Sequence, residues 1–404
     1  MPTARQAFVP QPVVGRTAAQ LRGYIEGADP VSQRPFMQEV IEALTRPLDE
    51  KDTKGASFDR STPRLLPADT EENLQRLFIE QKWTDFLPVT LPTEERVARM
   101  LEGTSRKPGE IVGRLAPTLF REAWELNVEK VAVNAVMAGC KPEYLPVVLA
   151  LAASGYSARS SSTTSFAMLA LINGPIRNEI GMDSGIGVLG PFNHANATLG
   201  RAYNLLSINL QGGCVPGDTY MGSLGNWMNY SACFPEAEER SPWQPFHVQK
   251  GFRKDESVAS VFFGGRYMLA GFGPRETWKE EFRRAFAGCE QHLAPLFVMD
   301  PLCARGFVER GFDTSEKLAR WFSENGRMSA REYWDNEWVQ TLLRPLAVAG
   351  VEPYAAKWQA KPDEPIRLFE PGEISIAVAG GETQPAWRMF GGRHMKSVSI
   401  DPWR

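Results

Sequence analysis

The sequence predicts an α/β fold: a mixed or mostly parallel sheet with flanking helices, an N-terminal helical arm and a long ordered central loop. Three observations carry this. Short apolar runs rich in valine, isoleucine and phenylalanine alternate with segments of helical length through the centre of the chain, the pattern that βα units leave in a sequence. Gly-rich turns close these runs. The 30 prolines, 35 glycines and 11 tryptophans among 404 residues suit a globular protein with ordered loops better than a helical bundle.

Residues 1 to about 65 are polar and turn-rich, with one helical segment, FMQEVIEALTRPL, ahead of the charged stretch DEKDTKGASFDRSTP. Amphipathic helices are expected at TEENLQRLFIEQKW and TEERVARMLEGT, each opened by a threonine able to cap its first turn. Beyond them VEKVAVNAVMAGC reads as a strand, YLPVVLALAASG as a helix, SFAMLALING as a strand and NATLGRAYNLLSINLQGG as a long helix. Further strands are expected at SVASVFFGG, LAPLFVMD and EISIAVAGG, with helices at ETWKEEFRRAFAGCEQ, TSEKLARWFSENG and SAREYWDNEWVQTLLRPL. This divides the chain into an arm with helices over 1–90 and an α/β core over 91–404, the latter built as two packed halves of about 91–265 and 266–404. No repeat of about 20–50 residues marks a solenoid.

Composition narrows the function classes. With 45 basic and 48 acidic side chains the formal net charge is -3 and the pI about 6.0, without the basic excess that a nucleic-acid partner requires. Five cysteines, an odd number with no CxxC pair, describe no disulfide framework and predict a reducing, cytoplasmic location. Neither a signal-peptide h-region nor a run of about 18 apolar residues is present, so secretion and a membrane span are not expected.

Three constellations are candidates for chemistry. In NAVMAGCKPEYLPVVLALA, Cys140 stands just before a helix expected to begin near Pro142, where free backbone N–H groups, the helix dipole and Lys141 would favour a thiolate and make a nucleophile. The alternative is a buried cysteine filling space behind a glycine turn. Glu143, in the first turn, reads as a proton-transfer group or as plain dipole complementarity. Asn134, on the same run, is a candidate substrate contact.

In GPFNHANATLGRAYN, His194 near a helix start is a candidate acid/base, or a turn-stabilising imidazole. Asn193 and Asn196 would contact a substrate carbonyl or cap the helix, with capping favoured for Asn196. Arg201 would clamp a carboxylate, or be an ion-paired helix residue.

The segment between Gly212 and Gly251 has little periodicity and too many aromatic residues for a disordered loop. It contains Cys214, Tyr220, Asn226, Asn229, Tyr230, Cys233, Glu236, Glu238, Glu239 and His247. Tyr220, Asn226 and His247 are candidate substrate contacts lining or covering a pocket. His247 with Glu236, Glu238 and Glu239 is the one set that would hold a divalent metal, although H-E-x-x-H is absent; otherwise no cofactor is predicted. ISIAVAGGETQPAWRMFGGR reads as a terminal strand with a glycine turn; it lacks G-x-G-x-x-G, so nucleotide binding is not expected.

The blocks VEKVAVNAVMAGCKPEYLPVVLA, LINGPIRNEIGMDSGIGVLGPFNHANATLGRA, SPWQPFHVQKGF and ISIAVAGG resemble the large domain of the bacterial UGSC family, named after the Sec-Gly-Ser-Cys motif of its selenoprotein members. The resemblance covers roughly residues 90 to 400 and implies thiol or selenol redox chemistry. Cys140, Glu143, Asn193, Asn196, Arg201 and His247 fall in the shared blocks. The Sec/Cys-Gly-Ser-Cys motif itself is absent from this chain, so redox chemistry would need an external thiol or a redox partner.

The leading expectation is a cytosolic enzyme cleaving a C–S or C–N bond of a small polar organic molecule, with Cys140 as nucleophile and His194 or Glu143 moving protons. A metal-dependent hydrolase or lyase built on the His247 loop, and a non-catalytic subunit supporting a thiol or selenol partner, are the alternatives. A homo-oligomer is expected, since most soluble oligomers are symmetric homomers.

Overall fold

The computed structural model describes residues 5–13, 15–54, 63–115, 125–159, 166–210, 216–217, 220, 222–226 and 232–404. The chain divides into two compact units, Met1–Ala68 and Asp69–Arg404. The first contains helices Ala18–Glu26 and Phe36–Thr45, with Arg5 paired to the buried carboxylate of Asp52.

The larger unit is α/β. Its strands are β1 (Ile111–Arg114), β2 (Glu125–Asn127), β3 (Ala167–Asn173), β4 (Cys233–Pro235), β5 (Val258–Phe272), β6 (Pro295–Met299), β7 (Arg327–Ser329), β8 (Pro365–Arg367), β9 (Ser375–Val378) and β10 (Ala386–Ser399). β1 with β2 and β7 with β8 form small antiparallel ribbons. The other six make one mixed sheet in the order β4-β3-β5-β10-β6-β9, with parallel pairs at both edges and antiparallel pairs between them.

Helix boundaries follow local chemistry. Thr70 and Thr93 cap Glu71–Glu80 and Glu94–Leu101 as expected. The run 128–140, expected as a strand, is instead the helix Val128–Ala138. Asn127 caps it by accepting from Lys130 N at 2.8 Å, and Gly139, at φ +86°, ends it. Eight of its residues are buried, so the helix has no polar stripe and its valines resemble a buried strand. SAREYWDNEWVQTLLRPL is interrupted: Asn336 accepts from Trp338 N and Val339 N, starting a new turn after Ala330–Asp335. Among the described residues no helix is long and apolar enough to cross a membrane.

The sheet curls into a half-barrel whose edges are bridged at one end. At the end of β4, Ala237 N donates to Val378 O of β9 at 2.7 Å, and Val378 N donates to the Glu236 carboxylate at 3.3 Å. Inward-facing residues, among them Leu169, Phe234, Phe262, Leu296, Val298 and Phe390, form one cluster. The alternate residues face out. Met168, Ala170 and Ile172 join a core with the helices around 128–153 and 194–210; Phe297, Met299, Trp387 and Met389 join an aromatic core with the helices around 278–347. Burial on both faces is why β3 and β6 read as continuous apolar runs.

The two halves of this sheet repeat one design. β3 lies between a parallel β4 and an antiparallel β5, as β6 lies between β9 and β10. In this correspondence Asn173, the last residue of β3, matches Asp300, the first residue after β6. Each is followed by a short helix whose arginine pairs with a glutamate beyond the outer strand: Arg177 with Glu239, and Arg305 with Glu382. β5 and β10 both carry Phe-Gly-Gly-Arg, at Phe263–Arg266 and Phe390–Arg393, and they cross where Gly264 faces Gly392. The crossing demands glycine: Gly264 has φ +143°, and a Cβ there would lie 2.0 Å from Gly391 O.

Candidate functional site

Two adjoining cavities, each of about 240 Å³, open on the inner face of the sheet. They share Val188, Leu189, Gly190 and Arg388. The first lies at the carboxyl ends of the parallel pair β6 and β9, against Val298, Asp300, Ala379, Gly380 and Gly381, the end of a parallel sheet where ligands most often bind. The second runs over Leu169, Phe234, Met268 and Phe390.

The walls are set by backbone. Asp300 accepts from Leu302 N at 2.8 Å and Glu382 N at 2.9 Å, capping the helix Pro301–Val308 while fixing the turn after β9. Gly380 N donates to Ser184 O at 2.9 Å, and a Cβ on Gly381 would sit 2.2 Å from the Ile186 side chain. Glycine is therefore what lets this turn touch the loop from Ser184 to Gly190. Arg240 ties the two together, donating to Gly380 O at 2.7 Å, Ser184 O at 2.9 Å and Ser184 Oγ at 3.0 Å. Phe192, 79 % exposed, lies over Gly187 and Gly190 at the rim.

Arg388 projects from β10 at the junction of the cavities. It is half-buried, and among the described residues it makes no ion pair; its hydrogen bond is to the Trp387 carbonyl at 3.1 Å. A guanidinium placed so, with apolar walls on one side and glycine backbone on the other, can pair bidentately with a carboxylate or phosphate.

The candidates from the sequence fall elsewhere, with one exception. Cys140 does not carry a stabilised thiolate: burial pushes its thiol up to about 12, outweighing a 3.5 Å hydrogen bond to Thr198 O and the influence of Arg201. Cys140 N donates to Ala135 O at 3.0 Å, so the residue completes the end of the helix before it as a packed hydrophobe. The following turn, Pro142–Tyr144, is a 3₁₀ turn with Lys141 at its cap. Glu143 and His194 are exposed, and His194 Nδ1 is 3.4 Å from Tyr144 Oη. They neighbour Cys140, but none of the three lines either cavity.

Asn134 is buried, donating to Lys130 O and accepting from Asn209. Arg201 is held bidentately by Asp85 at 2.9 Å and donates to Pro88 O, so it has no free edge for a substrate. The capping assignment is reversed: Asn193 accepts from Asn196 N at 3.1 Å and caps His194–Leu210. Asn196 instead brackets the backbone of Asp183 and lines the second cavity, the one candidate that reaches the cleft. Tyr220 forms a backbone bridge with Pro216, and Asn226 is half-buried outside both cavities. Cys214, Asn229 and Tyr230 lie outside the described residues.

Glu236, Glu238, Glu239 and His247 do assemble, but each of the three carboxylates is engaged by donors of the chain. Glu236 accepts from Phe246 N at 2.7 Å and Asn173 Nδ2 at 2.6 Å; Glu238 accepts from Gly174 N and Arg177; Glu239 is forked by Arg177 at 2.6 and 2.9 Å. The Arg177 guanidinium holds Glu239 down to about 2, whereas burial, with Glu238 adding, raises Glu236 to about 7. His247 Nδ1 stays 3.9 Å from Glu238. Among the described residues no group of three or more His, Cys, Asp or Glu side chains has an arrangement able to hold a metal ion.

Sequence reasoning missed Arg388, Arg240, Asp300 and the Ser184–Gly190 loop. The glycines of GIGVLG and AGGE were the available signal. No protein-family model, no curated protein and no solved structure matches the chain. What fold and cleft define is thus a class: an α/β protein whose curled sheet, repeated in two halves, carries a glycine-walled cleft with, among the described residues, one arginine that makes no ion pair.

Proposed function

We propose that this protein binds a small organic anion in the cleft, with Arg388 as its anchor. The observation that supports this reading is the Arg388 guanidinium, which makes no ion pair among the described residues, at the meeting point of two cavities walled mostly by glycine backbone and apolar side chains, with Asp300, Thr383, Gln384 and Asn196 as the polar exceptions. Together the cavities match the scale of small-molecule sites, roughly 300–1,000 Å³, in which a few polar groups fix a ligand within largely apolar walls. Neither Cys140 nor Cys233 serves as a nucleophile in this reading, because burial keeps both thiols protonated.

The buried, unbridged thiols of Cys140, Cys233 and Cys303 favour a cytoplasmic setting. The thiol or selenol chemistry implied by the resemblance to the UGSC family would then come from a partner.

Thermal unfolding in acetate, sulfate and inorganic phosphate tests the reading. A ligand at 100 times its Kd stabilises by about 2.7 kcal/mol. At least one of these anions should raise the Tm of the wild type, and Arg388→Gln should abolish the rise while keeping the wild-type circular dichroism. Equal shifts in both proteins, or none in either, would remove the proposal.

A further inference from the structure

The two arms of the cleft differ in chemistry. The arm at the ends of β6 and β9 is bounded by Asp300, Gly380, Thr383 and Gln384 and by the backbone of the glycine loop. The arm over the sheet is bounded by Leu169, Val188, Phe234, Met268 and Phe390. Among the described residues its polar side chain besides Arg388 and Cys233 is Asn196, whose amide accepts from Asp183 N at 3.3 Å and donates to Asp183 O at 2.8 Å. A ligand group entering this arm finds apolar surface with a guanidinium at its mouth.

We infer that the ligand is a monocarboxylate with a compact apolar body of the aryl or branched-alkyl class, its carboxylate on Arg388 and its body between Leu169, Met268 and Phe390. This rests on the anion reading above and adds the second half of the ligand. Size supports it: a cavity of about 150 Å³ lined by aliphatic and aromatic side chains holds benzene, and this arm measures about 240 Å³. Charge supports it as well. One guanidinium, with no lysine or second arginine lining either arm among the described residues, matches a single negative charge better than a phosphate dianion. Each methylene transferred to apolar surroundings gains about 0.8 kcal/mol, roughly fourfold in affinity.

Calorimetric titration of the full chain with acetate, phenylacetate, phenylacetamide and inorganic phosphate tests this. Phenylacetate should bind at least about tenfold tighter than acetate, and phenylacetamide should lose that affinity. Arg388→Gln should bring phenylacetate down to the level of phenylacetamide. Leu169→Trp fills the arm, and Met268→Trp does so from a position 41 % exposed, where a larger side chain leaves folding intact; in either, the ratio of phenylacetate to acetate affinity should fall toward one. If acetate or phosphate binds through Arg388 and phenylacetate binds no tighter, the apolar body is wrong and the anion site stands. If phenylacetamide binds as well as phenylacetate, the carboxylate is wrong. If no anion binds, both readings fall.

Discussion

Asn173 and Asp300 occupy the same position in the two halves of the sheet, at the last residue of an inner strand and the first after one. Around Asn173 the outer-strand turn carries Glu236 and Glu238, which accept from its Nδ2 at 2.6 and 3.0 Å and close that end with side chains. Around Asp300 the matching turn carries Ala379 and Gly381, and the cleft opens there. One design thus gives a sealed end and an open one.

The sealed end makes stability depend on pH. Glu236 keeps its proton to about pH 7 in the folded protein, against an ordinary value of 4.5. The native state therefore holds the extra proton between those values, and the stability it contributes is complete below pH 4.5 and lost as pH rises through 7. A shift of this size corresponds to about 3 kcal/mol. Urea denaturation from pH 4.5 to 8 should show this decline in the wild type relative to Glu236→Gln, which carries no proton to lose. Parallel curves would contradict the assignment.

Gly264→Ala should destabilise by at least about 3 kcal/mol, since neither Gly391 O nor the strand crossing can move cheaply. Gly251 has φ +89° and open space for 4 Å around the point where a Cβ would stand, so Gly251→Ala meets strain alone and should cost about 1 kcal/mol. Equal losses in the two variants, measured by chemical denaturation, would deny that the strands touch at the crossing.

Arg240→Gln should cost about 2 kcal/mol, the scale of losing charge-assisted hydrogen bonds to Gly380 and Ser184. It should also expose the loop from Ser184 to Gly190 to limited proteolysis before the rest of the chain. Unchanged cleavage kinetics would mean that the loop is held by other contacts.

How much of this is legible in the sequence follows from where each signal resides. β3 can be read because seven consecutive buried residues leave a continuous apolar run. The helix at 128–138 reads as a strand for the same physical reason, since burial on all sides erases the periodicity that distinguishes a helix. The grouping of Glu236, Glu238, Glu239 and His247 is visible as a local cluster. Its meaning is not, because Asn173 and Arg177, which take up those carboxylates, come from an earlier strand and helix. Arg388 is hidden further still: Gly391 and Gly392 break the alternation of β10, and only the curl of the sheet turns that arginine into the cleft.

Cys140 should resist iodoacetamide at pH 8 in the native protein and react in urea, because burial keeps the thiol protonated far above that pH. Peptide mass spectrometry reads both states. Selective labelling of native Cys140 below pH 8.5, the ordinary thiol value, would restore it as a nucleophile.

Whether Arg388 anchors the ligand is decided by a crystal structure with 4-iodobenzoate, read from the anomalous signal of iodine. The expected result is a carboxylate on the Arg388 guanidinium and an iodine peak among Leu169, Met268 and Phe390. Ligand bound elsewhere on the chain, with the space beside Arg388 filled by solvent at ligand saturation, would overturn the assignment.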